Sequence, residues 1–293
     1  MWSLYPSPRV STLNRVEAPE LVALLSGRRI AVLTGAGLST DSGIADYRGP
    51  DSPPANPMTI RQFTSSVDYR RRYWARNHVG WRRMAATRPN AGHRALAALE
   101  HAGVVTGIIT QNVDLLHTRA GSRTVINLHG TYARVVCLDC RATMSRAALA
   151  DLLEAANPGF TERAEAGALA VAPDADAVVA DTDSFRFVDC PACAGMLKPD
   201  IVYFGESVAK DIVEQSYSLV DSADALLVAG SSLTVFSGYR FVRHAAARAI
   251  PVAILNRGPT RGDDLATVKV DAGCSPMLAL LADELNTAGR VAP

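Results

Sequence analysis

Residues 30–44 read IAVLTGAGLSTDSGI, an unbroken apolar run, Ile30–Thr34, that stops at a glycine-rich turn. Apolar and β-branched residues without alternation suit a strand buried on both faces, as in a parallel sheet. Glycines at 35 and 37 let the backbone turn tightly and bring its N–H groups close to a phosphate, whose charge a following helix N-terminus would favour. The stretch departs from the dehydrogenase fingerprint G-x-G-x-x-G, because Thr40 stands where the third glycine belongs. No acidic residue closes a second strand about 20 residues later, where a ribose clamp would sit. Hydride transfer is therefore disfavoured, while a purely structural strand-to-helix turn stays open.

Further apolar runs, each ending in Gly, Asn or Asp, occur at Val104–Thr110, Ala225–Ala229, Val252–Asn256 and Val268–Asp271. Helical periodicity falls between or beside them, at Glu20–Leu25, Ala91–Ala102, Ala209–Ser222, Ser237–Ala249 and Pro276–Ala288. Strands alternating with helices imply right-handed crossovers and an α/β fold with a doubly wound, Rossmann-like parallel sheet, whose ligands sit beyond the carboxyl ends of the strands. Two insertions interrupt the pattern. Residues 49–90 open with a Pro-rich turn (GPDSPPANP) and continue as a helical, Arg- and aromatic-rich stretch. Residues 131–197 carry two cysteine pairs, and their middle, 141–189, reads as helix then loop. The expected division is a discontinuous Rossmann-like domain of residues 17–48, 91–130 and 198–288, a helical insertion of 49–90, and a small metal-binding domain of 131–197.

Composition bounds the function. The 293 residues are 48% hydrophobic and 20% charged, an ordinary globular balance with length enough for a large core. Thirty basic against 29 acidic residues leave a net charge of +1, which argues against a generic nucleic-acid or membrane-surface binder. No apolar run approaches the roughly 20 residues of a membrane span, and the N-terminus has no apolar signal core. A cytoplasmic protein is the expectation. Of five cysteines, four form two C-x-x-C pairs, Cys137/Cys140 and Cys190/Cys193. Without a secretory signal a metal is favoured over disulfides, and four thiolates match a closed, tetrahedral structural zinc site with no position open for chemistry.

The remaining polar motifs cluster at strand ends. Asp46-Tyr47-Arg48 could shape a lid over a ligand, or form a surface turn. Gln111, Asn112 and Asp114 follow the second strand, where amide and carboxylate groups suit a carboxamide or ribose hydroxyls, and equally a helix cap. His129 precedes Gly130 and suits general-base work, although a lone histidine is often structural. Gly230-Ser231-Ser232 and Asn256 present small or polar groups to the same sheet edge, or serve as plain connecting loops.

In order along residues 20–285, GAGLSTDSGIADYR, TQNVDLLH, LHG, the two C-x-x-C pairs, KPDIVYFGE, GSSL and ILN resemble the successive motifs of the sirtuin family of NAD-dependent protein deacylases. The local patterns RRYWARNHVGW, VFSGYRF and LNRGPTRGDDLA look most like class II, the branch of the mitochondrial lipoamidase-type enzyme. The resemblance implies that Gly35, Ala36 and Gly37 cradle the NAD diphosphate, with Asp46, Tyr47 and Arg48 on the cofactor loop. It implies that Gln111, Asn112 and Asp114 face the nicotinamide and its ribose, that Asn112 and Asp114 hold the carboxamide in the reactive pocket, and that His129 is the general base. Gly230, Ser231, Ser232, Asn256 and, by position, Cys274 would line the adenosine end. Phe204, Gly205 and Glu206 would pair with the backbone of an acyl-lysine protein by strand addition. The products would be free lysine, nicotinamide and O-acyl-ADP-ribose. Two departures stand out: Ser237 replaces a proline common in the family, and Gly80 and Trp81 occupy the region where desuccinylases carry their acyl-selecting arginine.

Two rival functions are also compatible with the sequence. Mono-ADP-ribosyl transfer to protein would use the same NAD site with a side-chain nucleophile. A nucleic-acid-binding zinc ribbon would instead use Tyr69–Arg76 and Trp81–Arg83, where cations and aromatics mix.

Overall fold

The computed structural model describes residues 18–49, 57–165, 179 and 182–288. The N-terminus read for a targeting signal, most of the Pro-rich turn and much of the loop within 141–189 lie outside them. A first helix, α1 (Ala18–Leu25), leads into β1 (Ile30–Thr34), all five of whose residues are buried. Two short 3₁₀ turns follow, Ala36–Leu38 and Thr40–Ser42, rather than the α-helix expected there. Residues 35–43 explain this: three glycines and four Ser, Thr or Asp residues favour turns over helix, and Gly43 at φ +86° closes the segment.

Next come α2 (Ile60–Ser65), α3 (Val67–Ala86), α4 (Ala91–His101), β2 (Val105–Thr110), α5 (Leu116–Ala120) and β3 (Val125–Asn127). The chain then builds β4 (Gly130–Cys137), β5 (Thr143–Ser145), α6 (Arg146–Ala156), α7 (Phe160–Glu165) and β6 (Leu197–Ile201). It finishes with α8 (Lys210–Asp221), β7 (Ala225–Ala229), α9 (Phe236–Ala247), β8 (Val252–Leu255), β9 (Val268–Val270) and α10 (Cys274–Ala288). The large sheet runs β3-β2-β1-β7-β8-β9 with parallel pairings throughout. Strand order reverses between β1 and β7, the switch point at which such sheets open a crevice.

Period-two alternation splits the core. Ile30 and Val32 point to one face, under α1, α4 and α10, while Ala31 and Leu33 point to the other, under α8 and α9.

The two insertions form one lobe. A second sheet, β5-β4-β6, is antiparallel, and β6 brings residues 198–201 to it rather than to the large sheet. Phe63 and Trp74 from α2 and α3 share a core with Val135, Leu149, Leu153 and Tyr203 from the cysteine-bearing segment. Phe63 is fully buried, with ring centroids 5.3 Å from both Tyr73 and Tyr203. Arg146 enters the same core, its guanidinium over Trp74 and Trp81 at 5.8 and 5.4 Å and donating to Asn77 Oδ1. Burial lowers its pKa to about 9. Tyr73 and Trp74, aromatics of the proposed nucleic-acid patch, are thus interior residues. Among the described residues no helix is long and apolar enough to cross a membrane.

Because one core spans both insertions, Phe63→Ala is expected to cost about 3–5 kcal/mol. Denaturant unfolding followed by tryptophan fluorescence checks this, and a loss below about 1 kcal/mol would refute the shared core.

Candidate active site

The crevice begins with glycine against glycine. A Cβ on Gly35 would lie 2.7 Å from the Gly230 carbonyl oxygen, and one on Gly37 3.0 Å from the same atom. Gly37 N–H donates to that oxygen at 2.9 Å. The loops after β1 and β7 therefore touch backbone to backbone, and these glycines are required by that contact before any ligand is considered. Ala36, Ser231 and Ser232 complete the two loops along the cavity wall.

At the end of β2 a buried hydrogen-bond chain fixes the polar groups. His117 Nε2 lies 2.9 Å from Thr34 Oγ1, which donates to Thr110 Oγ1, which also accepts from the Asn112 backbone. His117 and His93 are kept neutral by burial, His93 with its pKa lowered to about 4. The Asn112 amide donates to the Gly35 carbonyl and to Ser39 Oγ, leaving its oxygen as the group to offer a ligand. Ser39 in turn donates to Asp114 at 2.7 Å, and Leu116 N–H donates to the other carboxylate oxygen. Burial raises the Asp114 pKa, and these two donors oppose the rise. The side chain of Gln111 bridges to Ser231 Oγ at 2.8 Å.

The backbone of Gln111 holds the candidate base. His129 Nδ1 lies 2.9 Å from the Gln111 carbonyl oxygen, and Nε2 lies 2.8 Å from Ser237 Oγ. A carbonyl only accepts, so the ring proton sits on Nδ1 and Nε2 keeps its lone pair. Burial lowers the His129 pKa, partly opposed by the Gln111 bond. A neutral imidazole whose Nε2 lone pair faces a hydroxyl is the form a general base needs.

These groups face one cavity of about 1150 Å³, a little above the roughly 300–1,000 Å³ of most small-molecule sites. Asp46, Tyr47 and Arg48 line it from the loop after the 3₁₀ turns, and Tyr47 reaches the Phe204 ring at 6.2 Å. Phe204, Gly205 and Glu206 line its far wall as a tight turn, with Glu206 N–H donating to the Tyr203 carbonyl and Gly205 at φ +83°. The Glu206 carboxylate is already engaged by Lys198 Nζ at 2.8 Å and by Tyr203 N–H, so it braces the turn. Asn256 borders both this cavity and an adjoining one of about 330 Å³. Cys274 borders only the smaller one, buried, with its thiol pKa pushed up to about 12. A volume, a glycine cradle and paired amide and carboxylate groups of this kind fit a dinucleotide.

The four paired cysteines converge at one end of the small sheet. Their sulfurs all lie within 4.8 Å of one another, with Cys137–Cys193 at 3.6 Å and Cys140–Cys190 at 3.8 Å. Four sulfurs about 2.3 Å from a central zinc would stand about 3.8 Å apart, so the set fits one tetrahedral ion.

Sequence reasoning passed over three participants. Ser39 couples Asn112 to Asp114, Lys198 braces Glu206, and Ser237 was noticed only as a departure from proline. Ser39 and Lys198 lie inside motifs that were read, and Ser237 shows its role only through a partner 108 residues away.

A model described as the Sir2 family matches residues 35–237. NAD-dependent protein deacetylase 1 of Mycobacterium avium (strain 104) is 77% identical over 276 residues, covering 94% of this chain and 98% of that protein. The mitochondrial NAD-dependent protein lipoamidase sirtuin-4 of Bos taurus is 43% identical over 283 residues, covering 94% of this chain and 88% of its own length. A solved structure described as Sir2-p53 peptide-NAD+ is 29% identical with a TM-score of 0.70, covering 90% of this chain and 97% of that one.

Cys190→Ser is expected to lose bound zinc and to lower the melting temperature together. Metal analysis beside thermal unfolding tests this, and a variant keeping both would refute a structural ion.

Proposed function

This chain belongs to the Sir2 family, and from that membership we infer that it is an NAD-dependent protein lysine deacylase. The observation that carries the residue-level reading is His129, a neutral imidazole fixed on the Gln111 carbonyl with Nε2 in the cavity. Gly35, Ala36 and Gly37 hold the diphosphate on backbone groups. Asn112 and Asp114 take the nicotinamide carboxamide, the amide oxygen of Asn112 accepting and Ser39 keeping both side chains in register. Gly230, Ser231, Ser232, Asn256 and Cys274 serve the adenosine end, and Asp46, Tyr47 and Arg48 cover the bound molecule. The turn Phe204–Glu206 receives the acyl-lysine segment, with Lys198 and Glu206 holding its shape.

NAD held by these residues would supply an electrophilic ribose carbon and a nicotinamide leaving group, and the Phe204–Glu206 wall would present the acyl oxygen to it. His129, through Nε2, is the final acceptor of the proton that a sugar hydroxyl would release, which would let that oxygen attack the acyl carbon. Tyr47 against Phe204 narrows the entrance and limits water, whose early attack would only hydrolyse the dinucleotide. Deacetylation has the support of the 77% identical relative, and removal of larger acyl groups that of the 43% identical lipoamidase. Mono-ADP-ribosyl transfer is the less favoured reading, and a nucleic-acid role loses its buried aromatics.

Mass spectrometry of NAD incubated with the protein and acetyl-, longer-acyl- and lipoyl-lysine peptides tests the reading. Acyl-dependent nicotinamide and O-acyl-ADP-ribose are expected, whereas ADP-ribose on protein with no deacylated peptide would overturn it. His129→Ala should cut acyl release by about 10²–10⁴-fold while NAD still binds. Loss of NAD binding in that variant would make His129 structural. The base must be unprotonated, and burial holds its pKa below 6.5. The acidic limb of kcat/KM should therefore fall below pH 6.5, with activity lost as pH drops through it; a limb above that value would contradict the buried, neutral ring.

A further inference from the structure

His129 can act as a base only through Nε2, and that atom already has a partner. The Ser237 hydroxyl, 2.8 Å away, donates to it, since Nδ1 carries the ring proton. An imidazole nitrogen has one lone pair, so no second donor reaches Nε2 while the serine holds it. A serine oxygen donates one hydrogen and still accepts. Both side chains line the cavity.

Both partners are positioned by Gln111. Ser237 lies in the first turn of α9, beside Gly238, where a Cβ would come within 2.6 Å of Gln111 Oε1. Gln111 therefore grips the ring through its carbonyl and packs its side chain against the helix that carries Ser237. The contact between Ser237 and His129 is built from two elements braced on one residue. A base oriented by a third group and bonded to a hydroxyl is the arrangement in which protons pass between side chains.

We propose that Ser237 relays the proton: the sugar hydroxyl donates its hydrogen to Ser237 Oγ, and Ser237 passes its own hydrogen to His129 Nε2. The sugar O–H bond breaks, one O–H bond forms at the serine as another leaves it, and an N–H bond forms at the ring. The sugar oxygen becomes the nucleophile, the serine ends unchanged, and His129 ends as imidazolium. The relay rests on the deacylase reading, and its test separates the two.

Acyl release from an acetyl-lysine peptide with NAD would be compared in the parent protein, Ser237→Ala, Ser237→Thr, His129→Ala and the Ser237→Ala/His129→Ala pair. Ser237→Ala should slow acyl release by about tenfold to a hundredfold. Ser237→Thr, which keeps a hydroxyl, should recover most of it. The double variant should be no slower than His129→Ala alone, because both residues act on one proton. In the ligand-free protein, the ¹⁵N resonance of His129 Nε2 should move in Ser237→Ala toward that of a lone pair without a donor, while Nδ1 keeps its proton. An Ala variant as fast as the parent, multiplying losses in the double variant, or an unmoved Nε2 resonance would each overturn the relay. A parent protein that releases no acyl group with NAD would sink the deacylase reading itself, and the ligand-free spectrum would still decide the bond between Ser237 and His129.

Discussion

At the switch point the two halves of the large sheet meet through the backbone of Gly35, Gly37 and Gly230. Each position lies where a Cβ would strike the opposite loop, and Gly230 also sits at φ +67°. Any larger residue would push the loop after β1 away from the loop after β7. That would open the crevice and move Asn112, whose amide donates to the Gly35 carbonyl. It would also move Ser231, which holds the Gln111 side chain. From Gln111 the constraint passes to His129 through a carbonyl bond and to α9 through Gly238. The geometry of the candidate base thus descends from how closely two loops approach.

The lobe closes the crevice from the other side. Its core joins α2 and α3 to the cysteine-bearing sheet, and Tyr203 sits in that core immediately before the turn at Phe204–Glu206. The turn therefore inherits its position from Phe63 and Tyr73 packing on Tyr203, and its shape from Lys198. Ile60 N–H donates to the Phe204 carbonyl, which ties the helical insertion directly to the cavity wall. A four-thiolate site at the end of the same sheet restrains the segments that precede β6. Cysteine set, aromatic core and the Phe204–Glu206 wall form one mechanical unit, although none of the four cysteines lines the cavity.

The central strands of the large sheet were legible because they are buried on both faces and end in turn residues, whereas the edge strand β3, three half-buried residues long, was not named as a strand. The helix expected after β1 was not found, since glycine, serine and threonine between 35 and 43 hold the chain in short turns. The small sheet went unread for local reasons. β5 has only three residues, β4 breaks its alternation, and β6 contains Pro199, which argues against a central strand. β6 is in fact an edge strand, where proline is tolerated. Candidate site residues could be named from their chemistry and their place at strand ends. What joins them could not: Ser39 meets Asp114 across 75 positions, and Ser237 meets His129 across 108.

Those long-range bonds decide what the polar residues can do. A carboxylate, an amide and an imidazole buried together are costly unless each has a partner. Here the partners differ in kind. Asp114 is given two donors, which stabilise its charged form against burial. His129 is given an acceptor on Nδ1, which fixes its tautomer, while burial, opposed by that bond, favours the neutral ring. Asn112 has its donors occupied and its acceptor spare. Burial acts on all three, and the partners set what each can offer: Asp114 has both oxygens engaged, His129 is held in one tautomer and Asn112 keeps a spare acceptor.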